Sequence, residues 1–197
     1  SMHIVVRIAF MISSILLMSA SSVAYAQRAG TMNLERIVRE AGMILAGKVI
    51  DVETGTRDPE MNLLVTQYTF HVYDRHYGVE QDTITIKQYG GEADGKSFYP
   101  KGVPRFKKGE HVLVFFYPPS KIGMTSPVGM DHGKSSIKGL QSTKRIVNNH
   151  GNANRFRGIR HTDAVANPQW LKTRTPGELD YAEFALTVRN LVEQLKN

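Results

Sequence analysis

The spacing of apolar and polar positions changes period along this chain, and the changes mark its elements. Leu34, Ile37, Val38 and Ala41 recur at helical spacing behind Asn33, a residue type that caps helix N-termini, and Gly42 closes the segment; a helix over 34–41 is predicted. Period two then takes over. From Met43 to Glu53, one face would carry Met43, Leu45, Gly47, Val49 and Asp51, and the other Ile44, Ala46, Lys48, Ile50 and Val52. Both sets are mostly apolar, so alternation selects no inward face: the strand is buried on both sides, or a bulge near Gly47 exchanges the faces. Thr54 to Asn62, with Gly55 and Pro59, reads as a polar turn. Leu64 to Tyr73 is the clearest strand, with Tyr68, Phe70 and Val72 inward against Gln67, Thr69, His71 and Tyr73. Gly78 marks a turn, Asp82 to Tyr89 alternates again, and Gly90-Gly91 breaks it. The Lys108-Gly109 turn leads into His111 to Tyr117, whose near-continuous apolar run implies burial on both faces; Pro118-Pro119 stops it.

The pattern weakens beyond this point. Ser126 to Met130 and Lys134 to Ile137 read as a short hairpin bent at Asp131-His132-Gly133, and Thr143 to Val147 as one more strand. Asn148 to His161, rich in Asn, Gly and Arg, reads as an exposed loop. Asp180 to Lys196 is a well-marked helix. Asp180 with Glu183 makes a variant capping box, Leu179 with Phe184 a hydrophobic staple, and Phe184, Val188, Leu191, Val192 and Leu195 its core stripe. No repeat and no second domain is visible. The predicted class is mainly β: a small Greek-key barrel of roughly five or six antiparallel strands with one helix before it and one after, the OB-fold type.

A leader precedes this domain. Arg7, the apolar stretch Ile8 to Leu17, and Ala24-Tyr25-Ala26 together fit a signal peptide over residues 1–26, with Ser1 ahead of Met2 reading as a cloning remnant. Cleavage after Ala26 would leave one domain over 27–197. The apolar run falls short of the ~20 residues a membrane span needs, so no stable span is expected after cleavage, and the protein is expected in the periplasm or outside the cell. The chain has no Cys, which removes disulfides, Cys-based zinc sites and thiol catalysis. Its formal charge is +7, or +6 without Arg7. Nine of the basic residues fall between Lys134 and Arg174 against a single acid, Asp163. Such a stretch attracts anionic polymers, membrane surfaces or acidic partners, or is simply a solvated face.

The order of these signals resembles a known family. A helix ending Arg39-Glu40-Ala41 is followed by Gly47-Lys48-Val49, Tyr68-Thr69-Phe70-His71-Val72, Gly90-Gly91, Gly102-Val103-Pro104, the run Phe106 to Phe115, and Gly129-Met130-Asp131-His132-Gly133-Lys134. Over roughly residues 34–137 this is similar to small exported bacterial proteins whose domain resembles the OB-fold of tissue inhibitors of metalloproteinases. The resemblance implies a protein-binding barrel, with a secreted metalloprotease as one partner class. It departs from the animal inhibitors at the site that matters for them. Their N-terminal Cys chelates the protease zinc, whereas the expected N-terminus here is Gln27.

Chemistry-bearing motifs are sparse. His71, His76, His111, His132, His150 and His161 form no metal-ligand spacing; Asp131-His132 is the best local pair and reads as turn chemistry. Ser135-Ser136-Ile137-Lys138 spells Ser-x-x-Lys without its companion motifs, and Gly90-Gly91 lacks a phosphate-loop setting. No enzyme, metal or cofactor is therefore expected. Two loops are the candidate binding surfaces, Tyr99 to Phe106 (Tyr99, Arg105, Phe106) and Asn148 to His161 (Arg155, Phe156, Arg157, Arg160), with Trp170 as an anchor or as a pin for the C-terminal connection. The expected function is an exported, non-enzymatic module binding a protein; the alternative is an accessory protein holding an anionic surface polymer or nucleic acid through the basic stretch.

Overall fold

Helix α1 (Leu34–Glu40) begins where the pattern places it: the Asn33 side-chain oxygen accepts the Arg36 N–H at 2.9 Å. The structure is a computed structural model and describes residues 32–197; the expected leader lies outside them. Nine strands follow: β1 (Met43–Arg57), β2 (Leu64–Tyr77), β3 (Thr83–Tyr89), β4 (Gly91–Ala93), β5 (Lys96–Phe98), β6 (His111–Phe116), β7 (Lys134–Lys138), β8 (Arg145–Asn148) and β9 (Leu179–Asp180). Helix α2 (Tyr181–Lys196) ends the chain, with Asp180 accepting the Glu183 N–H at 2.9 Å. Among the described residues, no helix is long and apolar enough to cross a membrane.

Seven strands form one antiparallel sheet in the order β3-β2-β1-β6-β7-β8-β9, and β4 with β5 makes a separate hairpin. This overturns the expected barrel. Strands β3 and β9 stand at opposite edges and do not pair with each other, so the sheet is open, and the OB-fold and inhibitor-like descriptions fall with the closure they require. The physical reason lies in the strands that are apolar on both sides. A small barrel has one interior, whereas β1 and β6 feed two separate cores. Ile44, Ala46, Leu113 and Phe115 point to one, while Leu45, Val49, Val112, Val114 and Phe116 point to the other. In β1 both accounts of its pattern hold, because its register with β2 also shifts between Ala46 and Gly47.

The two cores are covered differently. On the first face lie α1, α2, Ile137, Ile146 and a cap of Phe156, Ile159, Val165 and Trp170. On the second, the segment before β6 lays Phe106 against Tyr68, Phe70 and Phe116, with ring centroids 5.0, 5.2 and 6.0 Å away. The glycine-rich stretch after β3 is a hairpin whose turn, Asp94-Gly95, has φ of 51° and 72°; this Asp-Gly signal is legible in the sequence once both residues are given positive φ.

Three further expectations need correction. The polar turn after β1 is shorter than predicted, because β1 continues to Arg57. Ser126 to Met130 is not a strand: Pro127 makes one bridge to Phe116, Met130–Gly133 is a 3-10 turn, and β7 pairs instead with β6 and β8. Asn148 to His161 is not an exposed loop, since Asn148, Asn152, Arg155, Phe156 and Ile159 are all buried. Asparagine and arginine look solvated in a sequence; here they satisfy one another in the interior.

Candidate functional site

The predicted binding residues separate into two groups. Phe106, Arg155, Phe156 and Trp170 are buried and unavailable to a partner. Phe106 belongs to the aromatic core, and Trp170 packs on Phe156 at 5.0 Å, pinning the C-terminal connection. Arg157 and Arg160 are exposed, and their backbones are tied to α1: the Arg157 carbonyl accepts from Asn33 Nδ2, and the Arg160 N–H donates to Glu35. Tyr99 and Arg105 remain together on the surface, with the guanidinium 4.2 Å from the ring centroid.

The loop that carries Tyr99 and Arg105 is tied to β3 through Gln88, whose Nε2 donates to the Pro104 carbonyl at 2.8 Å. Two clefts flank the β3 edge. One, of about 410 Å³, is lined by Met43, Thr83, Ile84, Ile86 and Pro119 among others. The second, of about 350 Å³, is lined by Gln88, Tyr89, Pro100, Val103 and Met124. Tyr89 and Phe98, both exposed, meet edge to face at 5.4 Å at the rim of the second cleft. Between the clefts the chain covers its own edge. Met124 lies parallel to Lys87, and the Thr125 N–H donates to the Lys87 carbonyl at 3.0 Å. The backbone groups of Thr83, Thr85, Lys87 and Tyr89 face away from β2, because the bonds to β2 fall on the alternate phase: Asp82 accepts the Val72 N–H, and the Gly90 N–H donates to the Leu64 carbonyl.

Part of the basic stretch is tied to groups of the fold itself. Lys134 pairs with Glu110 at 2.8 Å, Lys138 with Glu178 at 3.1 Å, and Arg145 donates to the Glu178 carbonyl. Lys144 lies over the Tyr73 ring, and Arg155 is interior. Arg155 Nη1 donates to Ser135 Oγ at 2.7 Å and to Asn152 Oδ1 at 2.8 Å, while Nε and Nη2 have no partner among the described residues and the guanidinium lies over Phe184 at 4.6 Å. Burial pushes its pKa down to about 9.

The same buried knot carries a second polar place. Asn152 donates to the Ile146 and Gly177 carbonyls, and Asn148 Oδ1 accepts the N–H groups of Asn152 and His150. His150, fixed in this way, stacks on His132 with ring centroids 4.3 Å apart and lies 2.9 Å from Asp131 Oδ1. His132 has its pKa lowered, first by burial and then by the neighbouring His150. Sequence reasoning singled out Asp131-His132 but missed His150 as their partner, because the β7–β8 connection and the turn after β8 bring it back across 18 positions with no recognised ligand spacing.

The chain matches no protein-family description, no curated protein and no solved structure.

Proposed function

We propose that this chain is an exported, non-enzymatic binding module that takes an extended segment of a partner protein along the β3 edge. The single observation that carries the reading is the self-made bridge at Lys87, where the chain's own Met124-Thr125 occupies the edge in the way an added strand would. The clefts on either side offer pockets for alternate side chains of such a segment, and the Tyr89–Phe98 and Tyr99–Arg105 pairs supply the rigid aromatic and guanidinium groups that dominate interfaces. The opposite edge offers less, because β9 is two residues long and runs directly into α2. Export rests on the leader pattern of residues 1–26. The alternative, an anionic polymer held by Lys134 to Arg174, keeps exposed Lys138, Arg145, Arg157, Arg160, Lys172 and Arg174, although Lys138 and Arg145 contact Glu178, while Lys134 and Lys144 are half-buried and Arg155 is interior.

A photoreactive residue placed at Thr85 is expected to cross-link one protein from envelope or culture supernatant at both low and high salt. Thr85→Pro, which removes an outward N–H at a position where an edge strand tolerates proline, is expected to abolish that adduct with an unchanged thermal melt. Cross-linking confined to a probe at Arg157 and lost at high salt would overturn this reading in favour of the polymer, whose phosphate-like contacts weaken steeply with salt.

A further inference from the structure

We propose that Asp131, His132 and His150 form a binding site for a divalent transition-metal ion, with two imidazole nitrogens and one carboxylate oxygen as ligands and water in the remaining positions. One ligand atom from each residue lies within 4.8 Å of the others, and His150 Nε2 to Asp131 Oδ1 is already 2.9 Å. Imidazole and carboxylate donors suit zinc, nickel, copper and iron. Metal–nitrogen bonds of about 2.0–2.1 Å at a tetrahedral ion require donor atoms roughly 3.3 Å apart, so the widest pair must close by about an ångström or more. Rotation of the two rings out of their stack supplies that movement, and all three side chains sit at or near the surface, where such rotation is unhindered by core packing.

Two features of the backbone hold the ligands in place. Asp131 and His132 sit on the 3-10 turn Met130–Gly133, entered through Gly129 and Met130 with φ of 64° and 59°. A left-handed Met is a strained choice, and strain of this kind collects where geometry matters more than stability. The turn is locked from behind by Gly133, where a Cβ would fall 2.4 Å from the Val128 carbonyl oxygen. His150 is fixed through its own N–H, which donates to Asn148 Oδ1 at 3.0 Å, and Asn148 in turn is held by the buried Asn152. Outer contacts that orient ligands in this way are a regular part of metal sites. Neutral imidazole and ionised carboxylate are the forms that ligate, so uptake releases any proton these groups carry. Arg155 opposes the ion with its charge, as it opposes the proton on His132, and Asp131 offsets it; the expected affinity is therefore moderate.

The test is zinc titration by calorimetry on the metal-stripped protein, purified without a polyhistidine tag, with imidazole nitrogens followed by NMR. One equivalent of Zn²⁺ is expected to bind and to shift the His132 and His150 resonances together. His132→Ala and His150→Ala are each expected to weaken binding at least about tenfold, Asp131→Asn by about tenfold, and His71→Ala, on the exposed face of β2, not at all. No uptake by the wild-type protein up to ~1 mM Zn²⁺ would overturn the site. So would uptake that moves other histidine signals and survives His132→Ala and His150→Ala, since the three residues would then be only a hydrogen-bonded clasp. Because the NMR shift is read on the wild-type chain, a variant that fails to fold does not decide the question.

Discussion

On one face of the central sheet Tyr68, Phe70, Phe106 and Phe116 meet ring to ring, with Lys134 Nζ over the Phe106 ring at 4.8 Å. On the other, the apolar contacts of Phe115, Ile146, Phe184 and Leu191 are interrupted by Glu35, Ser135, Asn148, Asn152, Arg155 and Thr187, all buried. Both faces exclude water. The first does so by shape, which many apolar side chains satisfy approximately. The second does so by pairing, and each group there has few alternatives: Asn152 alone serves the Ile146 and Gly177 carbonyls, the Asn148 N–H and the Arg155 guanidinium. Shape can be rebuilt by repacking. A half-satisfied polar knot cannot, since each lost partner strands a buried group. The cap that carries His150 is built on the less forgiving face.

The largest expected effect tests the aromatic face. Phe70→Ala should cost about 3–5 kcal/mol in urea unfolding, from lost transfer energy plus the cavity left among Tyr68, Phe106 and Phe116. The loss should be the same at pH 7 and pH 4, because Tyr68, the titratable ring of the cluster, has its pKa raised by burial above the ordinary value of 10 and stays protonated across that range. A loss that varied with pH would show that the two faces are coupled.

The paired face should respond in the opposite way. Glu35 is buried, and burial by itself would push its carboxyl up; hydrogen bonds from the Arg160 and His161 N–H groups, His161 Nδ1 and Arg39 hold it below its ordinary value. A depressed carboxylate pKa stabilises the fold above the unfolded-state value near 4.5, and that contribution is lost as pH falls through the lower folded value. Glu35→Gln should therefore cost about 1.5–3 kcal/mol at pH 7 and progressively less below pH ~4.5. A cost that stays constant down to pH 3 would mean that shape, not charge, holds α1 to residues 160 and 161.

The difference between the faces also explains what could be read in advance. Caps at Asn33 and Asp180, the alternation at Tyr68, Phe70 and Val72, and the two-sided burial of β6 are local or periodic signals, and each appears in the fold as expected. Sheet closure is not local. The pattern that looked like a barrel wall is equally that of an open sheet with two cores, and only the partners of β3 and β9 distinguish them. The polar knot was invisible for a different reason. Asn-His-Gly-Asn-Ala-Asn-Arg from Asn149 to Arg155 has the composition of a solvated loop, and nothing in it announces that Asn148, Asn152 and Arg155 bond to one another rather than to water. The histidine site inherits that concealment, since one of its three residues rides on this segment.

The smallest expected effect is the most discriminating. Arg155 is a fully interior cation whose partners among the described residues are all neutral: it donates to Ser135 and Asn152, leaves Nε and Nη2 without acceptors there, and rests on the Phe184 ring. Its desolvation is thus set against two hydrogen bonds and a cation–π contact, with no carboxylate to compensate. Arg155→Met keeps most of the volume and removes the charge. Asn152 Oδ1 still accepts the Asn148 N–H at 3.2 Å, and Ser135 loses a single donor. The unfolding free energy should stay within about 1 kcal/mol of the parent protein, whereas Arg155→Ala, which adds a cavity, should cost about 2–5 kcal/mol. If Met costs as much as Ala, the guanidinium holds the knot together, and the second face owes its order to a charge. If Met is neutral, the cation is tolerated rather than required, and the asparagines alone fix the segment that presents His150.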